Sequence, residues 1–133
     1  MLGDIPPDSG LPALIDMENE TIANTDFRRV IWTGLHTQVV LMSLEPGEVI
    51  DREMHPEIDQ FFRVERGMIV IDAETDSGLK KLVVGTGQAG VVPSGTYHTV
   101  YASDVLGAKL YTNYSPPNHP PNRLQPQKPK GGD

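Results

Sequence analysis

Residues 47–67 read GEVIDREMHPEIDQFFRVERG, bracketed by Gly47 and Gly67 and containing two short runs of strand-forming residues. Successive side chains of a strand point to opposite faces, so residues i and i+2 share one. On that rule Glu53 and His55 project together while Met54 points away, and two groups able to hold a metal share a face. From Gln60 onward, Gln60, Phe62 and Val64 oppose Phe61, Arg63 and Glu65. The second set contains two charges, so Gln60 is expected to face the core. Arg66-Gly67 reads as a turn.

Downstream, residues 87–98 read GQAGVVPSGTYH. The Pro93–Gly95 turn starts a strand on which His98 shares a face with Val100, and an inward His98 would meet the first cluster. Strand-like runs occupy Arg29–Thr33, Thr37–Leu44, Val49–His55, Gln60–Glu65, Met68–Glu74, Leu79–Val84, Gly90–Val92, Tyr97–Ala102 and Lys109–Tyr114, each followed within two residues by Gly, Pro, Asp or Ser. About nine short strands without an amphipathic helical stretch indicate an all-β closed or double-sheet architecture such as a jelly roll. No internal repeat is present.

The chain has 133 residues, enough for one domain. Glycine (13) and proline (12) interrupt it too often for long helices. No run of about 18 apolar residues occurs, which excludes a spanning helix. A net charge of −7 without any basic run argues against nucleic acid as a partner. With no cysteine, any metal must be held by imidazole, carboxylate or amide oxygen. The first twenty residues lack a basic start and an apolar stretch, so they do not read as a signal peptide, and a cytoplasmic location is expected.

Residues 1–26 form an acidic arm (Asp4, Asp8, Asp16, Glu18, Glu20, Asp26) that is expected to pack loosely. Residues 27–115 form the β domain. Residues 116–133 hold six of the twelve prolines, which reads as an extended spacer or strap, with Lys128–Asp133 expected to be disordered.

Taken alone, a Glu-x-His pair more often marks a solvated strand face than a metal site, and a buried glutamine more often means an internal hydrogen bond. The wider spacing adds weight. Gly47, five residues, Glu53-x-His55, four residues, Gln60, six residues and Gly67 resembles the first motif of the cupin family, G-x5-HxH-x4-E-x6-G. Gly87, five residues, Pro93-x-Gly95, two residues and His98 resembles the second, G-x5-P-x-G-x2-H-x3-N. The segments around Asp59–Arg63 and Tyr114–Pro120 are similar to those of small single-domain cupins called mannose-6-phosphate-isomerase-like.

The resemblance implies a jelly-roll barrel enclosing a divalent transition metal ion (Mn, Fe, Ni, Co or Zn), whose ligands carry over to Glu53, His55, Gln60 and His98. Two positions depart from the family pattern, Glu53 for histidine and Gln60 for glutamate, and the closing asparagine is Ala102. The two ligand changes compensate, since one carboxylate remains. Asp59 is the rival for Gln60, but only Gln60 leaves six residues before Gly67 and shares a face with Phe62 and Val64.

Three readings follow. One is an enzyme acting on a small carbonyl, carboxylate or sugar-like compound by isomerase, lyase or dioxygenase chemistry, with its base among His36, Tyr97, Tyr101, Tyr111 and Tyr114. The second is a non-catalytic small-ligand or sugar-binding cupin, and the third a metal-free structural barrel. His119 reads as structural or exposed. Small cupins commonly pair through barrel strands, so a homodimer is expected.

Overall fold

The computed structural model describes residues 2–130. It is an antiparallel β structure with one short helix: α1 (Met17–Ala23), then β1 (Arg28–Thr33), β2 (Gln38–Leu44), β3 (Val49–Glu53), β4 (Asp59–Thr75), β5 (Gly78–Gly85), β6 (Ala89–Val92), β7 (His98–Ala102), β8 (Ala108–Ser115) and β9 (Leu124–Gln125). The strands follow the order β3-β7-β4-β8-β2-β1-β9, with β5 and β6 also pairing with β4. This is the all-β jelly-roll barrel expected from the sequence.

The long strand β4 joins the two halves of the barrel. Its first part pairs with β6 and β8, its second with β5 and β7. The sequence reads a turn at Arg66-Gly67, but the chain continues there as one strand with a bulge, marked by a register shift between Val64 and Arg66 against β8. The bulge reverses the phase of burial. Gln60, Phe62 and Val64 face inward before it, and Ile69, Ile71 and Ala73 after it. Gly67 takes φ +88°, and a Cβ there would lie 2.2 Å from the Gly107 carbonyl oxygen, so no other residue fits without moving that backbone. The interior is filled by Val40, Met42, Phe62, Val64, Ile69, Ile71, Val100, Leu110 and their neighbours.

The two ends of the chain pack more closely than the sequence indicates. The acidic arm contains α1, whose seven residues are too few to display a helical period. Glu18 and Glu20 lie in its first turn, where carboxylates suit the helix dipole. Thr21 and Asn24 are buried, and the Asn24 carbonyl accepts a 2.6 Å hydrogen bond from Lys109 Nζ of β8. At the other end β9 pairs with β1, and Arg28 Nη1 donates to Gln125 Oε1 at 2.6 Å inside the protein. The proline-rich segment is thus a strap across the barrel. Lys128 lies 3.3 Å from Asp51, while residues 131–133 of the expected disordered end lie outside the described residues.

Candidate metal centre

Strand β3 does not alternate simply. Ile50 is buried, Asp51 and Arg52 are both exposed, and Glu53 turns inward again. The irregularity is a register shift between Ile50 and Glu53 against β7, and it brings Glu53 opposite His98. Counting strictly by twos from Ile50 would have placed Glu53 outside. His55 also arrives by a route other than alternation, because β3 ends at Glu53 and His55 stands in the loop leading to β4. There its carbonyl accepts the Gly95 N–H at 2.8 Å, which ties this loop to the turn preceding β7.

His98 opens β7 and is almost fully buried. Its Nδ1 lies 3.0 Å from the Thr96 carbonyl, an acceptor that holds the proton on Nδ1 and leaves the Nε2 lone pair directed elsewhere. The Glu53 Oε1 atom is 3.4 Å from His55 Nε2 and 3.8 Å from His98 Nε2. Ligand atoms of the three residues all lie within 4.8 Å of one another. The two imidazole rings are tilted by 54° with centroids 5.7 Å apart.

Gln60 is buried on β4, and its Nε2 donates to Thr112 Oγ1 at 3.0 Å, which leaves Oε1 without a hydrogen-bond partner. Its cross-strand neighbour Tyr114 meets the His55 ring edge-on at 5.7 Å, and Phe62, two residues along, meets His98 at 6.2 Å. The amide therefore sits among the residues that touch both imidazoles. Asp59 is exposed and accepts the Ser94 N–H at 2.9 Å, capping the turn that carries His98. Asp59→Ala should lower stability by about 1 kcal/mol through loss of that bond. If the centre takes a metal, its affinity in titration should stay within about threefold of wild type, since the exposed Asp59 carboxylate caps a turn outside the cluster.

Of the residues considered as a base, His36, Tyr97 and Tyr101 are exposed, and Tyr111 packs beside Phe61 with centroids 6.3 Å apart. Only Tyr114 stands inside the barrel. Its hydroxyl lies 3.3 Å from Nε2 of His119, a buried residue of the strap. An irregular, proline-rich segment carries no periodicity that could have placed His119 there. On the outer face Arg52 binds Glu74 through two hydrogen bonds of 2.7 and 2.9 Å and stacks on Tyr97. Those bonds hold the Glu74 carboxyl below its ordinary range and raise Arg52, outside the barrel.

A β-barrel with two imidazoles and a carboxylate converging inside it defines a class, and the sequence agrees. Residues 40–111 match the cupin domain family, and the chain belongs to that family. It is similar to the uncharacterised protein L612 of Acanthamoeba polyphaga mimivirus, at 39% identity over 90% of this chain and 74% of that protein. It also resembles the uncharacterised protein YrkC of Bacillus subtilis, at 42% identity over 82% of this chain, and spans 60% of YrkC's length.

Among solved structures, BH2720 from Bacillus halodurans superposes with a TM-score of 0.82 at 37% identity, covering 95% of this chain and 94% of that one. KdgF from Halomonas sp. shares the fold at a TM-score of 0.60 and 22% identity, over 68% of this chain and 78% of KdgF. So does Bacillus subtilis oxalate decarboxylase, a protein with Mn(II) centres, at 0.58 and 20% over 70% of this chain and 24% of that one. Among the described residues no helix is long and apolar enough to cross a membrane.

Proposed function

We propose that this cupin holds a divalent transition metal ion through Glu53, His55, Gln60 and His98 and uses it as an enzyme on a small carbonyl, carboxylate or sugar-like substrate, in isomerase, lyase or dioxygenase chemistry. One observation carries the reading. His55 Nε2, His98 Nε2 and Gln60 Oε1 are buried without hydrogen-bond partners, beside a carboxylate. Each such atom costs about 1–3 kcal/mol unless something satisfies it. A metal-free polar network would satisfy them mutually. Yet among the described residues no hydrogen bond links any two of the four side chains; Gln60 binds Thr112 and His98 binds Thr96.

The donor set suits the ion. Nitrogen and oxygen ligands without thiolate fit Mn, Fe, Ni, Co or Zn, and two atoms bound to one ion lie about 3–4 Å apart, close to the 3.4 and 3.8 Å separations from Glu53. Manganese is the first ion to test, given the Mn(II) centres of the oxalate decarboxylase neighbour. When bound, the ion supplies Lewis-acid polarisation of a substrate oxygen. Glu53 supplies the one ligand charge, so the site stays net positive and draws anionic or carbonyl groups. Thr112 fixes the Gln60 amide, Thr96 the His98 tautomer, and Phe62 packs edge-on beside the His98 ring.

Metal analysis of protein purified without chelator or affinity metal should find about one ion per chain, and a panel of uronates, hydroxy acids and diols should reveal a compound consumed only by the loaded protein. Absence of metal after reconstitution would overturn the reading. Ligand-dependent stabilisation without turnover would identify a binding protein in place of an enzyme. The same reading includes a homodimer, supported by the open edges of a short barrel. Sedimentation should give twice the 14.6 kDa chain mass.

A further inference from the structure

Gln38, at the start of β2, is fully buried and spends its whole amide on holding the chain around it. Its Oε1 accepts the backbone N–H groups of Asn118 at 3.1 Å and His119 at 3.0 Å, and its Nε2 donates to the His119 carbonyl at 2.7 Å and to Thr33 Oγ1 at 3.0 Å. Three of these four bonds fix the strap backbone at 118–119. A buried amide satisfied in this way has one orientation, and so does the backbone it grips.

With that backbone held, the His119 ring meets Tyr114 at 5.1 Å and 80°, its Nε2 lying 3.3 Å from the hydroxyl. Tyr114 in turn meets the His55 ring at 5.7 Å and 89°. The contacts Gln38, His119, Tyr114 and His55 form one continuous path. Its end is the place that needs support. The His98 ring is oriented by its bond to the Thr96 carbonyl, whereas among the described residues no hydrogen bond orients the His55 ring, which stands on a loop. Its ring partners are Tyr114 and His98.

We infer that Gln38 and His119 are positioning residues of the metal site, holding Tyr114 against His55 so that His55 Nε2 faces Glu53, and that the proline-rich strap is thereby part of the centre. The inference rests on the metal reading above. Packing and hydrogen bonding behind a ligand set its direction, and removing such support typically weakens metal binding by about 10–100-fold.

The test is Co(II) titration of demetallated protein, followed by calorimetry and by the visible absorption of the bound ion, for His119→Ala, Tyr114→Phe, their combination and Gln38→Leu. Each single variant should bind Co(II) about tenfold more weakly and show an altered visible band. The double variant should be little worse than His119→Ala, since both changes break one path. Lys128→Ala, which loosens the strap only where it meets Asp51, should match wild type in affinity and spectrum.

A lowered melting temperature with unchanged Co(II) affinity and spectrum would make the strap purely structural and overturn the inference. Should Gln38→Leu fail to fold, His119→Ala and Tyr114→Phe decide the matter alone. If wild type takes no Co(II), the metal reading fails and the inference falls with it; if wild type binds and the variants match it, the inference alone is overturned.

Discussion

Glu53→Gln should leave the barrel folded and strip it of most of its affinity for metal. The substitution keeps the shape of the side chain and its place opposite His98 at the end of β3, so the pairing of β3 with β7 is not disturbed. It removes the single negative charge from the proposed ligand set, whose other members, His55, Gln60 and His98, carry none. Taking one partner from a buried, charge-compensated pair costs about 3–5 kcal/mol, which corresponds to more than a hundredfold in affinity. Titration of demetallated protein with Mn, Fe, Ni and Zn should show that loss for every ion. The metal-free variant should melt at or above the wild-type temperature, because the Glu53 side chain is only 18% exposed and the variant no longer holds a partly desolvated charge there. Equal affinities for wild type and variant would remove Glu53 from the ligand set.

How much of this was legible in the sequence depends on whether the backbone stayed regular. Between Asp59 and Val64 the strand alternates without interruption, and the inward orientation of Gln60 and the outward one of Asp59 follow directly. Around Glu53 the alternation fails, since two consecutive exposed residues precede it. Glu53 and His55 nevertheless come together, through a register shift and a loop that pattern counting does not register. A glycine with positive φ serves a turn and a bulge equally well, so the Arg66-Gly67 signal could not reveal that two expected strands were one. The remaining omissions are short or aperiodic. Helix α1 spans seven residues and β9 two, and His119 reaches Tyr114 from a segment whose position is set by Gln38, far away in sequence. Such long-range amide clamps leave no local signature.

Gln60→Glu should move affinity and activity in opposite directions. The family motif places glutamate at this position, and the barrel accommodates one: Thr112 Oγ1, which now accepts from the Gln60 amide, can rotate its hydroxyl to donate to a carboxylate. A second carboxylate beside Glu53 would bring the charge of a divalent ion and its ligands to zero. Metal retention should then rise about tenfold or more, measured by competition with a chelator. The price falls on the chemistry, because an ion neutralised by its ligands polarises a substrate oxygen less and attracts an anionic substrate less. Turnover of any substrate found for the wild type should therefore drop about tenfold or more, with the loaded variant at full metal occupancy so that loss of the ion cannot explain the change. Placing the family motif's histidine at position 53 in the Gln60→Glu background returns the site to one carboxylate. Glu53→His combined with Gln60→Glu should recover most of the lost rate. If the combined variant stays as slow as Gln60→Glu alone, net ligand charge is not what sets the reactivity of this site, and the position of the carboxylate, opposite His98 on β3 in place of β4, becomes the property to explain.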